Sequence, residues 1–183
     1  APARALMRRL PSDSSGRLDP TAVRAAIHAD RERGVRPFCI VANAGTTNTG
    51  AVDPLLALAD LAEESGTWLH VDGAYGAAAV LGDRGRRALT GLSRADSIAL
   101  DPHKWLFQPF ECGCLLVRDT AQLRSSYAIH PEYMRDTARE LEEINFCEYG
   151  VQLSRSFRAL KLWLTIKTFG SAAIAAAIDR AFD

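Results

Sequence analysis

The 183 residues are 48% hydrophobic and 24% charged, with 22 basic side chains balanced by 22 acidic ones, the make-up of an ordinary globular domain. That length can bury a real core, and the even charge gives no electrostatic reason to expect nucleic acid or an anionic membrane as a partner. The first residues show no basic-then-apolar leader, and no run reads as the ~18 apolar residues of a membrane span. The sequence starts without methionine and stops inside an apparent helix, Ala172 to Phe182, so a piece of a longer chain is expected.

In chain order, Asp19-Pro20 predicts a helix over 21–33, with Asp19 as N-cap and proline in the first turn. Val23, Ala26 and Ile27 form its buried stripe, and Gly34 ends it. Phe38 to Ala42 reads as a buried parallel strand. A loop rich in Gly, Thr and Asn follows, from Asn43 to Asp53. Asp53-Pro54 opens a second helix with Leu55, Leu56, Leu58, Ala59, Leu61 and Ala62 inward, closed by Gly66.

Strands are then predicted over 68–72, 97–101 and 113–117. Strands alternating with helices predict an α/β fold with a mostly parallel sheet. In such sheets ligands collect at the carboxyl ends of the strands. From Ile129 to Phe146 the pattern becomes polar and aperiodic, as in a long functional loop. A strong helix returns over 157–169. The organisation expected is part of a large domain over 1–125, a mobile loop region over 126–150, and a helix over 151–183 that returns to the large domain and leads toward a C-terminal small domain outside this sequence.

Four cysteines, Cys39, Cys112, Cys114 and Cys147, lack the C-x-x-C spacing of a zinc or thioredoxin-like site. They are expected to be reduced, partly buried thiols of a cytoplasmic protein. No metal site is expected.

Two residues carry the chemistry. Asp72 ends an apolar strand, where a carboxylate is costly to bury unless paired. It reads either as a cap for the next helix or as an anion facing a ring-nitrogen cation. Lys104 lies among His103, Trp105, Leu106 and Phe107. It reads either as a snorkelling lysine or as an amine desolvated enough to form Schiff bases. Lys104 follows Asp72 by 32 residues, one strand-helix-strand passage, so both reach the same sheet edge. The Gly45-Thr46-Thr47 loop one unit earlier adds polar donors.

His70-Val71-Asp72-Gly73-Ala74-Tyr75 followed by Asp101-Pro102-His103-Lys104-Trp105 resembles the group II pyridoxal-phosphate decarboxylases. Asn43 to Asp53 and Leu153 to Trp163 resemble two further family segments, and the likeness runs from about Arg9 to Gly170. The resemblance implies a type I aminotransferase-like large domain and pyridoxal 5'-phosphate as cofactor. Lys104 would carry the cofactor, Asp72 would pair with its pyridinium nitrogen, and Ala74 would pack on the ring. Thr47 and His103 would lie near the cofactor. Asp101 would lie near the phosphate, where a carboxylate repels unless it is turned away.

The implied reaction is decarboxylation of a small-molecule L-amino acid, aromatic by likeness, in a homodimer. A loop tyrosine in this family supplies a proton after decarboxylation. Counting back from Phe157 without gaps puts Phe146 at that place, with Tyr149 and Tyr133 nearby. A phenylalanine there implies a second outcome, oxidative deamination to an aldehyde. An aminotransferase or desulfurase of the same fold, the latter with Cys147 as its only candidate thiol, and a non-catalytic dimerisation remnant are the remaining readings.

Overall fold

The computed structural model describes residues 7–128 and 144–182. Tyr133 and most of the expected 126–150 loop lie outside them. The chain divides into two compact units, Ala1–Leu116 with Arg158–Asp183, and Val117–Phe157.

In the first unit, helix α1 spans Pro20–Glu32 and buries Val23, Ala26 and Ile27. Asp19 caps it as predicted, its carboxylate accepting from the Thr21 amide at 2.8 Å. Strand β1 is Cys39–Asn43, helix α2 Leu55–Ser65 and strand β2 Trp68–Asp72. A 3-10 turn over Ala77–Leu81 and the short helix α3, Asp83–Ala88, lead to β3, Ser97–Leu100, and β4, Cys114–Val117. Helix α5, Ala159–Arg180, returns to this unit.

The sheet order is β1-β2-β3-β4, and the β1–β2 and β2–β3 pairs are parallel. The α/β expectation therefore holds. Register aligns Asn43, Asp72 and Ala99 in one row across the sheet. All three strands thus end at one edge, where their loops must converge.

The core is Ile40, Ala42, Leu69 and Val71 from the strands against Leu55, Leu58, Leu61 and Ala62 of α2. Period-2 alternation sends the other strand residues to the opposite face. Val41 is accordingly 57% exposed, so β1 is buried on one face rather than two. Leu56, expected inside, is also exposed. Helix α2 begins at Leu55 with Pro54 at the cap position. Asp53 turns inward instead, only 4% exposed. Its carboxylate accepts from the amides of Leu18 and Asn43, both at 2.7 Å. A buried charge survives because backbone donors surround it.

The two C-terminal helices expected from the sequence are both present and meet at Gly170, whose φ of 78° and ψ of 155° are not helical; the pair is labelled α5. Taken end to end the 22 residues of α5 are long and apolar enough to cross a membrane, but the break at Gly170 leaves two pieces that are each shorter than a span. Its Ile174 and Ile178 are buried in the same core as the sheet and the 3-10 turn.

In the second unit, α4 spans Thr120–Tyr127, capped by Asp119, whose carboxylate accepts from the Ala121 amide at 2.9 Å. A 3-10 turn covers Phe146–Tyr149. Phe146 is exposed, and its carbonyl accepts from Arg155.

Candidate active site

Asp72 closes β2 with its carboxylate exposed. Its Oδ1 accepts from the Ala74 amide at 3.1 Å, tying down its own loop rather than capping a helix. Ala74 is the next link. Its carbonyl accepts from the Asp101 amide at 3.2 Å, which joins the loop after β2 to the loop after β3.

Four residues after β3, Lys104 projects its ammonium onto Asp101, with Nζ 2.8 Å from Oδ2. The two side chains are 32% and 25% exposed. The tight turn that makes this possible is closed by the Lys104 amide donating to the Asp101 carbonyl at 2.9 Å. Lys104 is thus half-buried as expected, but it faces a carboxylate rather than an apolar pocket.

His103 Nε2 lies 3.8 Å from the same Asp101 oxygen. Its Nδ1 sits 3.0 Å from the Cys112 amide nitrogen and 2.8 Å from the Cys112 carbonyl oxygen. One tautomer accepts from the amide and the other donates to the carbonyl, so the ring is anchored in both. The Phe110 ring packs edge-on at 5.1 Å. Trp105 is held between Tyr75 and Phe182, each with ring centroids 5.6 Å away.

The structure therefore links Asp72, Ala74, Asp101, His103 and Lys104 through a continuous set of short contacts. Thr47 lies apart from that set, exposed on the turn after β1. Its loop is held against the others by backbone packing. A Cβ on Gly76 would fall 2.4 Å from the Ala44 carbonyl oxygen and 2.7 Å from Gly45 Cα.

The start of α5 carries a family-like motif whose task the sequence leaves open. Its residues grip the loop that follows Lys104. Lys161 Nζ donates to the carbonyls of Pro109 at 2.6 Å and Glu111 at 2.8 Å. Thr165 donates to the buried Gln108 side chain at 3.3 Å. Arg158 pairs with Glu111 through Nε at 3.0 Å and holds that carboxyl below the usual carboxylate range. Spacing of three to four residues puts Arg158, Lys161 and Thr165 on one helix face. Nothing in the sequence says what that face meets.

Loosening this grip should be measurable. Lys161→Met leaves two carbonyls to water, a loss of about 1 kcal/mol. Amide exchange at Gln108 and Cys112 should quicken several-fold, read by NMR or mass spectrometry. Acid should act the same way through Glu111. Its carboxyl is lowered in the folded state, so its contribution is present above the unfolded carboxylate value of roughly 4 and disappears as pH falls through the folded one. Unchanged exchange in both experiments would mean that the loop holds itself.

All four cysteines are free thiols. Burial raises Cys39 and Cys114, the latter also through its neighbour Cys112, which makes both poor nucleophiles. Cys147 belongs to the second unit.

Pyridoxal phosphate needs an amine for its aldehyde, a carboxylate for its ring nitrogen and a small residue beneath its ring. Lys104, Asp72 and Ala74 answer these in kind, on linked loops at one strand edge. Among the described residues only Oδ1 of Asp72 is engaged, by Ala74, leaving Oδ2 for a ring N–H. The donor set fits the ring end of the cofactor.

Comparison with known proteins agrees. The family model for the pyridoxal-dependent decarboxylase conserved domain matches residues 3–183. The chain is 51% identical over 172 residues to an aromatic-L-amino-acid decarboxylase of Bacillus atrophaeus, covering 93% of this chain and 36% of that protein. It is 40% identical over 156 residues to a phenylacetaldehyde synthase of a Rosa hybrid cultivar, covering 85% and 31%. A crystal structure of Oryza sativa TDC with PLP and tryptamine superposes with a TM-score of 0.84 at 38% identity, covering 92% of this chain and 35% of that one. The chain thus spans about a third of the length of the relatives it matches. The type I aminotransferase-like reading of the sheet and its strand-end loops stands, and the chain belongs to the pyridoxal-dependent decarboxylase family.

Proposed function

We propose that the natural protein bearing this chain removes the carboxylate of an L-amino acid, aromatic in kind, to give the amine and carbon dioxide. One observation carries the reading. Asp72 and Lys104 occupy linked loops at one strand edge in a chain half identical to an aromatic-L-amino-acid decarboxylase.

The residues divide the work by chemistry. Bound at this edge, pyridoxal phosphate would supply an electron sink for the pair left behind by departing carbon dioxide. Lys104 Nζ is the amine that would hold it. Asp72 Oδ2 would keep a proton on the ring nitrogen, because a carboxylate favours a neighbouring cation. Ala74 offers a methyl group as floor, and His103, its ring fixed by Cys112, lines the approach to Lys104. Thr47 is assigned to the rim of the same site. A homodimer belongs to the reading, supported by the exposed Leu160, Trp163, Leu164 and Phe169 of α5.

The aldehyde-forming alternative is not favoured. The decarboxylase relative is the more similar of the two.

The test is borohydride reduction of the full-length natural protein after incubation with pyridoxal phosphate, followed by peptide mapping and product analysis with L-tryptophan, L-tyrosine and L-phenylalanine. A pyridoxyl group on Lys104 with amine and carbon dioxide as products is expected. Labelling elsewhere, or an aldehyde with ammonia and peroxide, would overturn it.

A further inference from the structure

The resemblance leaves Asp101 near a phosphate, an awkward neighbour for a carboxylate. The geometry points elsewhere. Asp101 Oδ2 lies 2.8 Å from Lys104 Nζ, at the distance of a charge-assisted hydrogen bond.

The arrangement is preset from several sides. The Asp101 amide is fixed to the Ala74 carbonyl at 3.2 Å, and its carbonyl accepts from the Lys104 amide at 2.9 Å. His103 approaches the same carboxylate oxygen at 3.8 Å, and its Nδ1 is anchored at Cys112. Close above Asp101 Oδ1 lies Gly113, whose Cβ, if it had one, would sit 3.5 Å away. Both charges are two-thirds to three-quarters withdrawn from solvent, so water screens them incompletely.

We propose that Asp101 is a positioning residue that pairs with the Lys104 amine whenever that nitrogen carries no carbonyl group, and so governs how readily Lys104 takes up and gives back its cofactor. The inference rests on Lys104 being the cofactor's lysine. An ammonium has no lone pair, so attack on an aldehyde requires Nζ first to shed a proton to solvent. The amine nitrogen then bonds to the aldehyde carbon, and the aldehyde oxygen leaves as water. In sum an ammonium and an aldehyde give a protonated imine and one water. Because Nζ must leave its 2.8 Å contact with Asp101 before it can attack, the pairing slows this uptake. In the reverse sense, it stabilises the lysine released when a substrate amine takes its place.

The experiment uses the full-length natural protein freed of cofactor. The rate of imine formation is followed by absorbance with two probes, pyridoxal and pyridoxal phosphate, and Lys104 is verified by reduction and mapping. Asp101→Asn keeps the shape and removes the charge. Asp101→Ala is the second variant should the first fold poorly. Either should react about tenfold faster than the parent at neutral pH, on the order expected for removing one partly screened charge at contact distance, and by the same factor with both probes.

A slower variant would overturn the proposal, showing that Asp101 removes the proton as a base. A change confined to the phosphate ester would also overturn it, placing Asp101 at the phosphate. An equal rate would overturn it too, showing that the ion pair has no consequence. Failure of Lys104 to label in any protein is a different result and would count against the proposed function itself.

Discussion

Lys104→Ala should abolish covalent capture of pyridoxal phosphate and lower decarboxylation by roughly 10²–10⁴-fold, the range for losing one positioned group that binds and moves a proton. The reason is geometric. Lys104 is the amine in the linked contacts at the strand edge, and its Nζ already sits beside a carboxylate that can hold it when released. No other described lysine can take its place, because Lys161 is committed to the Pro109 and Glu111 carbonyls and Lys167 lies over the Trp163 ring at 5.7 Å. Tight binding without a covalent bond should persist in part, since Asp72 and Ala74 are untouched. The variant should therefore show cofactor absorbance that dialysis removes. Restoration of slow turnover by added methylamine would identify the missing group as an amine. Near-normal activity in the variant would sink the assignment of Lys104.

Much of this site could be read from the sequence for a simple reason. Parallel strands joined by helices deliver their carboxyl ends to one edge, so residues just after strands meet whatever the details of packing. Placing Asp72 and Lys104 at that edge needed nothing more, while their roles came only from the resemblance. Asp101 was harder. Its position was legible, but the direction of a short side chain in a four-residue turn depends on the hydrogen bond between the Lys104 amide and the Asp101 carbonyl. No periodicity encodes that. The grip of Arg158, Lys161 and Thr165 on the 108–111 loop was invisible for another reason. It joins residues some 50 positions apart, largely through side-chain to backbone bonds, which leave no pattern in either segment. Asp53-Pro54 does lead into α2, but the three donors that the Asp53 carboxylate takes from Leu18 and Asn43 join distant segments and leave no pattern in the sequence. The break at Gly170 was legible because glycine usually ends helices. The helix that follows Gly170 enters the core through Ile174 and Ile178.

Gly76→Ala should be strongly damaging for one methyl group added near the site. Gly76 has an ordinary φ of −95°, so alanine suffers no backbone strain there. The cost is contact alone. The new carbon would lie 2.4 Å from the Ala44 oxygen and 2.7 Å from Gly45 Cα, and both are backbone rather than the yielding tip of a side chain. Ala44 cannot simply retreat, because it is fully buried and its amide donates to the Asp72 carbonyl at 2.9 Å. Gly45 is tied to Ala51 at 3.1 Å. Overpacking of this kind costs about 1–3 kcal/mol, or a fall in Tm of roughly 2–12 °C for a domain of this size. Relief by movement would shift Asp72 with Ala44, so cofactor affinity should fall along with stability. Gly34→Ala is the contrasting control. Its added carbon meets nothing within 4 Å, but its φ of +75° strains alanine, at a cost of about 1–2 kcal/mol. That variant should lose stability with cofactor affinity intact. Measuring thermal unfolding and cofactor titration on both variants separates the two causes. If Gly76→Ala weakened cofactor binding no more than Gly34→Ala does, the close approach of the two loops would be a packing detail with no hold over Asp72.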